Sequence, residues 1–135
     1  MVIIVSCNSN KQIVKIYSVK GCDTNFEVRN IGAIIDSKFV GDQQRIEVTG
    51  YISWGTEEFA LGTSANGKSK KSMIWINFRN SLVDSLEFNA PPDVSIFQKL
   101  NGKKVTVRGI YKANEHGHLE QYAASIDDIC FLKIW

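Results

Sequence analysis

The stretch that most constrains the fold is residues 101–132, which read NGKKVTVRGIYKANEHGHLEQYAASIDDICFL. Within it Val105 and Val107 alternate with polar residues, and this period of two is typical of a strand with one buried face. Turn-forming residues follow, after which the chain returns through a second apolar run. The stretch therefore predicts one long β-hairpin, with the sequence HGH of residues 116–118 at its tip.

An earlier segment repeats the first strand of this hairpin. The first six residues of segments 45–51 and 104–110 share one order of characters, namely basic, β-branched, polar, Val, polar and Gly. A glycine inside a strand, here Gly50 and Gly109, usually marks a bulge, a bend or a close approach of the backbone. Strand curvature of this kind is needed to close a small barrel. We therefore expect two bent strands with equivalent places in one barrel.

The remaining apolar patterns predict two further strands and one helix. Residues 79–90 are predicted to be irregular. Strand, strand, strand, helix, strand, strand is the order of the OB-fold, a small barrel with a helix between its third and fourth strands. We predict a mainly β chain, a five-stranded OB-like barrel with a short helix between strands 3 and 4, plus an N-terminal extension. The predicted elements are strands at 45–54, 58–61 and 73–78, a helix at 93–100, and the two strands of the hairpin.

The first residues, MVIIVSC, end in a pattern that resembles the lipobox of bacterial lipoprotein signals. In that class the cysteine, here Cys7, is lipidated and becomes the mature N-terminus. A complete signal has a basic n-region and an apolar core of about 7–15 residues, so its upstream part would be missing here. The alternative is that residues 2–5 form a first β-strand. The expected division is a signal remnant or tether at 1–12 and a single OB-like domain at 13–135.

Composition indicates one globular domain. With 135 residues, 44% of them hydrophobic and 22% charged, the chain is long and apolar enough for a core. A net charge of +2 is too small to argue for a polyanionic partner. The sequence contains no run of about 18 apolar residues, so we predict no membrane-spanning helix.

The three cysteines leave an even pair once Cys7 is assigned to lipidation. In an exported protein Cys22 and Cys130 can form a disulfide, whereas in a cytosolic protein two buried free thiols are the commoner outcome. No C-x-x-C spacing occurs. We therefore do not expect a zinc site or thioredoxin-type chemistry.

Three short patterns resemble a family of uncharacterised bacterial proteins that are predicted to adopt an OB-like barrel. The patterns are V-x-V-x-G, I-W-I-x-F and H-G-H-L, which correspond here to residues 46–50, with Ile46 in the place of the first valine, 74–78 and 116–119. The resemblance covers roughly residues 46–131, and H-G-H-L is its most specific part. It implies a fold and a bacterial source but no activity.

The two histidines of the hairpin tip allow two interpretations. In an extended strand His116 and His118 would share a face and could approach one transition metal, with Glu115 or Glu120 beside them. Structural zinc, however, takes four protein ligands, and the chain has only two histidines. We interpret the tip as a structural turn whose histidines bond to neighbouring loops, and expect no metal and no cofactor.

The sequence contains no nucleophile elbow and no P-loop, so we expect no enzyme activity and assign no catalytic residue. The expected function is a non-enzymatic binding module, a cell-envelope lipoprotein that recognises another protein as an adaptor or an inhibitor. Its membrane contact would be the lipid on Cys7 alone, and without a signal the protein would be cytoplasmic.

The alternative is an OB-fold protein that binds single-stranded nucleic acid, which is the less expected partner. Such barrels combine aromatic stacking platforms with a basic groove. The candidate binding residues are the aromatics Tyr51, Trp75 and Tyr111, the cations Lys68, Lys70, Lys71, Lys104 and Arg108, and the histidines His116 and His118.

Overall fold

The computed structural model describes residues 2–7, 12–22, 25–36, 41–66, 69–88, 90 and 95–135. Within these residues the chain is mainly β, as predicted, and no helix there is long and apolar enough to cross a membrane. The strands are β1 (Val2–Cys7), β2 (Gln12–Ser18), β3 (Glu27–Arg29), β4 (Arg45–Gly55), β5 (Glu58–Gly62), β6 (Ile74–Phe78), β7 (Lys104–Lys112) and β8 (Ala124–Ile134). The helices are α1 (Ile31–Ile35), α2 (Asn80–Phe88) and α3 (Ile96–Leu100).

Five of these strands close a barrel. Strands β4, β5 and β6 form an antiparallel meander, β6 pairs in parallel with β8, and β8 pairs with β7. Antiparallel pairing of β7 with β4 closes the circuit. Because α2 and α3 lie between the third and fourth barrel strands, the predicted OB-like barrel is confirmed.

The expectation of an irregular segment at 79–90 is wrong, because α2 occupies most of it. Leu82 and Leu86, one helical turn apart, are fully buried against the barrel, while the intervening positions are polar or half-buried. The predicted helix at 93–100 is represented by α3, and residues 91–94 lie outside the described part of the chain.

Three strands extend the sheet beyond the barrel. The hairpin β1–β2 adds to β8, with Ser18 opposite Phe131, and β3 adds in parallel to β4. A disulfide joins Cys22 to Cys130 where the β2–β8 ladder ends. Residues 2–7 form strand β1, with Cys7 opposite Gln12.

The two matched segments are each other's partners. Val48 of β4 faces Val107 of β7, so the segments run antiparallel around this central pair. A Cβ on Gly50 would lie 2.9 Å from the carbonyl oxygen of Gly62, and one on Gly109 would lie 2.7 Å from that of Asp127. Both glycines thus permit close approach of a neighbouring strand, and at Gly109 the register with β8 shifts.

An ion pair fixes the bulge in β8. Asp128 has a positive φ of 53° and accepts two hydrogen bonds from Arg79, at 2.7 and 2.8 Å. These bonds lower the pKa of the Asp128 carboxyl below its ordinary value. The Arg79 backbone N–H also donates to Ile129, so the start of α2 is tied to β8.

Candidate functional site

The loop between β7 and β8 folds over the outer face of β5 and β6. Gly117, with φ +68°, sits against the indole of Trp75, and a Cβ there would lie 2.6 Å from the Trp75 side chain. The ring of Tyr122 packs 5.1 Å from the same indole. Trp75 is consequently half-buried beneath the loop, and its N–H donates to Asn77 at 3.1 Å.

Both histidines bond within this loop and to its neighbours. The Nδ1 of His116 donates to the carbonyl oxygen of Tyr122 at 3.0 Å. The Nε2 of His118 lies 3.2 Å from a carboxylate oxygen of Glu57, and its ring stacks 6.4 Å from Trp75. Positive φ angles occur in the loop at Gly117 and Leu119, so the histidines do not project from an extended strand. Among the residues that the structure describes, no cluster of three or more possible metal ligands exists.

A buried tyrosine anchors the loop. The Tyr122 hydroxyl donates to Glu58 at 3.1 Å, and the second oxygen of that carboxylate accepts a bond from Ser53 at 2.5 Å. Burial and the adjacent negative charge raise the pKa of Tyr122 to about 12. Asp127 accepts a 2.7 Å bond from Asn77 on the same face. The classical ligand face of the OB-fold thus carries three carboxylates beside its aromatics, those of Glu57, Glu58 and Asp127.

A second feature lies where the helices meet the barrel, and we call it the aromatic groove. The ring of Phe59 packs edge-on against two other rings, with its centre 5.0 Å from that of Phe78 and 5.5 Å from that of Phe97. The groove has a volume of about 260 Å³, and no described residue that lines it is charged. Its lining residues are Trp54, Phe59, Trp75, Ile76, Asn77, Phe78, Val83 and Phe97.

The structure does not gather the predicted binding residues into one site. Tyr51 is half-buried on the outer face of β4, opposite Lys104. Arg108 pairs with Glu47 at 2.8 Å, and its guanidinium lies 4.0 Å from the ring centre of Phe131.

Two further predicted residues already have contacts within the chain. Tyr111 is only 4% exposed and belongs to the core, where burial first and the charge of Asp42 second raise its pKa. It therefore offers no ring face to a ligand. Lys70 donates to Gln121 in the loop at 3.0 Å, whereas Lys68 lies outside the described residues.

The aromatic groove contains residues that sequence reasoning missed. Trp54 and Phe59 flank the turn between β4 and β5, and Phe97 belongs to the apolar stripe of α3. Alternation correctly assigns Phe59 to the inner face of its strand. What alternation cannot show is that this inner face lies at an end of the barrel, where the side chain is only partly covered.

No protein-family model matches the chain, and no curated protein or solved structure matches it either. The resemblance carried by the strand and H-G-H-L patterns therefore stays a prediction. Because one barrel fold serves many functions, the function has to be inferred from the surfaces themselves.

Proposed function

We propose that this protein is a non-enzymatic binding module that recognises another protein, and that the aromatic groove receives an aliphatic or aromatic side chain of that partner. The observation that carries the proposal is an uncharged concavity walled by several aromatic rings. The centres of protein–protein interfaces are depleted of charge and enriched in aromatic residues. At about 260 Å³ the groove is smaller than the roughly 300–1,000 Å³ of sites for drug-sized ligands, which suits one anchoring side chain.

The carboxylates near Trp75 speak against single-stranded nucleic acid on the same side of the barrel. A bound strand needs a positive groove along its phosphates and open aromatic faces for its bases. Here Glu57 and Glu58 place negative charge beside the loop, and Gly117 and Tyr122 cover part of the indole. Among the described residues, the outer face of β5 and β6 therefore does not combine a positive groove with fully open aromatic faces.

The proposed location is the cell envelope, with lipidated Cys7 as the only membrane attachment. A disulfide between Cys22 and Cys130 supports an oxidising compartment. If Cys7 is the lipidated N-terminus, the residues before it are removed and β2 becomes the outer strand of the sheet. Mass spectrometry of the N-terminal peptide tests this: a diacylated Cys7 is expected, and a peptide that continues through an unmodified Cys7 contradicts it.

A library of random peptides displayed on phage tests the protein-binding proposal. Selected peptides are expected to share one large apolar residue and to bind equally at low and high salt. Val83→Glu, which introduces a charge into the groove wall, should weaken binding of synthetic copies at least tenfold, because a buried apolar side chain contributes about 1.5–3 kcal/mol. The matched control is Ser81→Glu, which adds the same charge at an exposed position of the same helix.

The outcome decides between the interpretations. Peptides that bind Val83→Glu as tightly as the wild type would show that the groove is not the recognition site. Binding of a single-stranded oligonucleotide that falls steeply with salt would favour the nucleic-acid alternative. Circular dichroism of both variants checks that each remains folded.

A further inference from the structure

A second concavity, which we call the lysine groove, lies between β2, α3 and the end of β8. Its polar lining consists of Lys15 from β2, Lys99 from α3 and Lys103 from the turn after α3. The volume is about 320 Å³, and none of the described lining residues is acidic. Its walls are otherwise apolar or aromatic, formed by Tyr17, Ile96, Leu100, Ile134 and Trp135.

Two more lysines contact the ring of Trp135 without lining the groove themselves. The Nζ of Lys133 lies 3.5 Å from the ring centre of Trp135, and the Nζ of Lys104 lies 5.6 Å from it. The orientation of the indole is fixed because its N–H donates to Thr106 at 3.0 Å. Cation–π contacts of this kind hold the ammonium groups in place while leaving N–H donors for a ligand.

The described part of the chain does not neutralise the charge of the three lining lysines, nor that of the two lysines beside Trp135. None of these five lysines takes part in an ion pair or a side-chain hydrogen bond of the described residues. The chain has 16 basic residues but a net charge of only +2, so this clustering is a local asymmetry. Apolar walls strengthen the attraction for an anion, because they lower the local dielectric constant.

We propose that the lysine groove binds a phosphate group, carried either by the headgroup of an anionic phospholipid or by a free phosphate compound. Lysine is a common point-charge ligand for phosphate, whose oxygens accept several hydrogen bonds at once. A nucleic acid strand fits less well, because Lys133 lies directly over the Trp135 ring on which a base would stack. This site shares no residue with the aromatic groove and is independent of the protein-binding proposal.

The test uses the whole protein labelled with ¹⁵N and two probes. Inorganic phosphate is titrated while the Trp135 indole signal and the amide signals of Lys99 and Lys103 are followed. Vesicles of phosphatidylcholine, with and without phosphatidylglycerol, are sedimented with the protein in parallel. Saturable shifts confined to the groove, or sedimentation that requires phosphatidylglycerol, are expected. Phosphate binding alone identifies a soluble ligand, and a response to vesicles identifies a lipid headgroup.

A charge-matched pair of variants makes the result specific. Lys99→Gln with Lys103→Gln should weaken binding about 30-fold, since each lysine near an anionic surface contributes roughly a fivefold factor. Lys20→Gln with Lys71→Gln removes the same charge from positions outside the groove lining. This control should change affinity less than about twofold, because salt screens charges that are distant from the bound anion. Absence of binding to both probes, or equal loss in both double variants, would overturn the proposal. A single-stranded oligonucleotide is titrated as a control, and binding to it without binding to either probe would overturn the proposal as well.

Discussion

Removal of the disulfide should destabilise the protein about as much as the most damaging large-to-small core substitutions. Cys22 and Cys130 are separated by 108 residues, so their bond closes most of the chain into one loop. In the chain-entropy model a loop of this length restricts the unfolded state by about 4.8 kcal/mol at 25 °C. The free energy of unfolding of an ordinary domain is about 5–15 kcal/mol. Without the bond, this protein would therefore be only marginally stable.

The same figure converts into a shift of the melting temperature. An unfolding entropy of about 2.1 cal/mol/K per residue gives roughly 0.28 kcal/mol/K for a chain of this size. A loss of about 4.8 kcal/mol therefore predicts a decrease of about 17 °C as an upper limit. The true decrease will be smaller if the reduced, unfolded chain retains structure.

The assay is urea denaturation followed by tryptophan fluorescence, with the free energy of unfolding obtained by linear extrapolation. The variant Cys22→Ala with Cys130→Ala is compared with the wild type, both in a Cys7→Ser background that prevents thiol exchange. Cys130 is buried, so its replacement by alanine also changes the packing of the core. Reduced wild type therefore serves as a second measurement, because it breaks the bond and leaves both side chains in place. Reductant should not affect the double variant. A loss below about 1 kcal/mol in both measurements would refute the chain-entropy reasoning.

Three other perturbations have defined outcomes in the same assay. Gly109→Ala should destabilise by about 1–3 kcal/mol through overpacking, whereas Gly55→Ala, whose Cβ meets no atom within 4 Å, should be nearly neutral. Tyr122→Phe should destabilise by about 1–3 kcal/mol, because it leaves a carboxylate with one donor fewer, and should remove the phenol that ionises at about 12 in an absorbance titration. Since that pKa lies above the ordinary 10.0, the stabilisation in the wild type is complete below pH 10 and is lost as the pH rises to about 12. Arg79→Met should destabilise by at most about 1 kcal/mol at pH 7, because the ion pair is partly exposed. Asp128 has a pKa below 3.8 in the folded protein, so this difference should shrink as the pH falls below that value.

The barrel could be predicted because short, local sequence patterns identify its strands. Alternation over residues 45–54 and 104–110 sets which face is buried, and Gly50 and Gly109 mark where a neighbouring strand comes close. Helix α2 was missed because its first turn and its centre carry Asn, Ser and Asp, which have poor helix propensity. In that helix only the packing of the two buried leucines outweighs propensity.

The candidate sites could not be predicted because they combine distant elements. The aromatic groove draws on β4, β5, β6, α2 and α3, and the lysine groove on β2, α3 and β8. Tyr111 is a different case, since its position follows from the sequence. It is in phase with Val105 and Val107, the inward residues of β7, so the alternation itself places it in the core.

Vectorial synthesis gives the disulfide one further consequence. If the chain is exported while it is synthesised at about 5–20 residues per second, Cys130 follows Cys22 by roughly 5–20 s. During that interval the thiol available to Cys22 is Cys7, about 15 positions away, and closing the shorter loop is favoured by about 1.7 kcal/mol. A lipid on the Cys7 sulfur would remove this competing thiol. The acyl chain would then act as a protecting group for the correct pairing as well as an anchor.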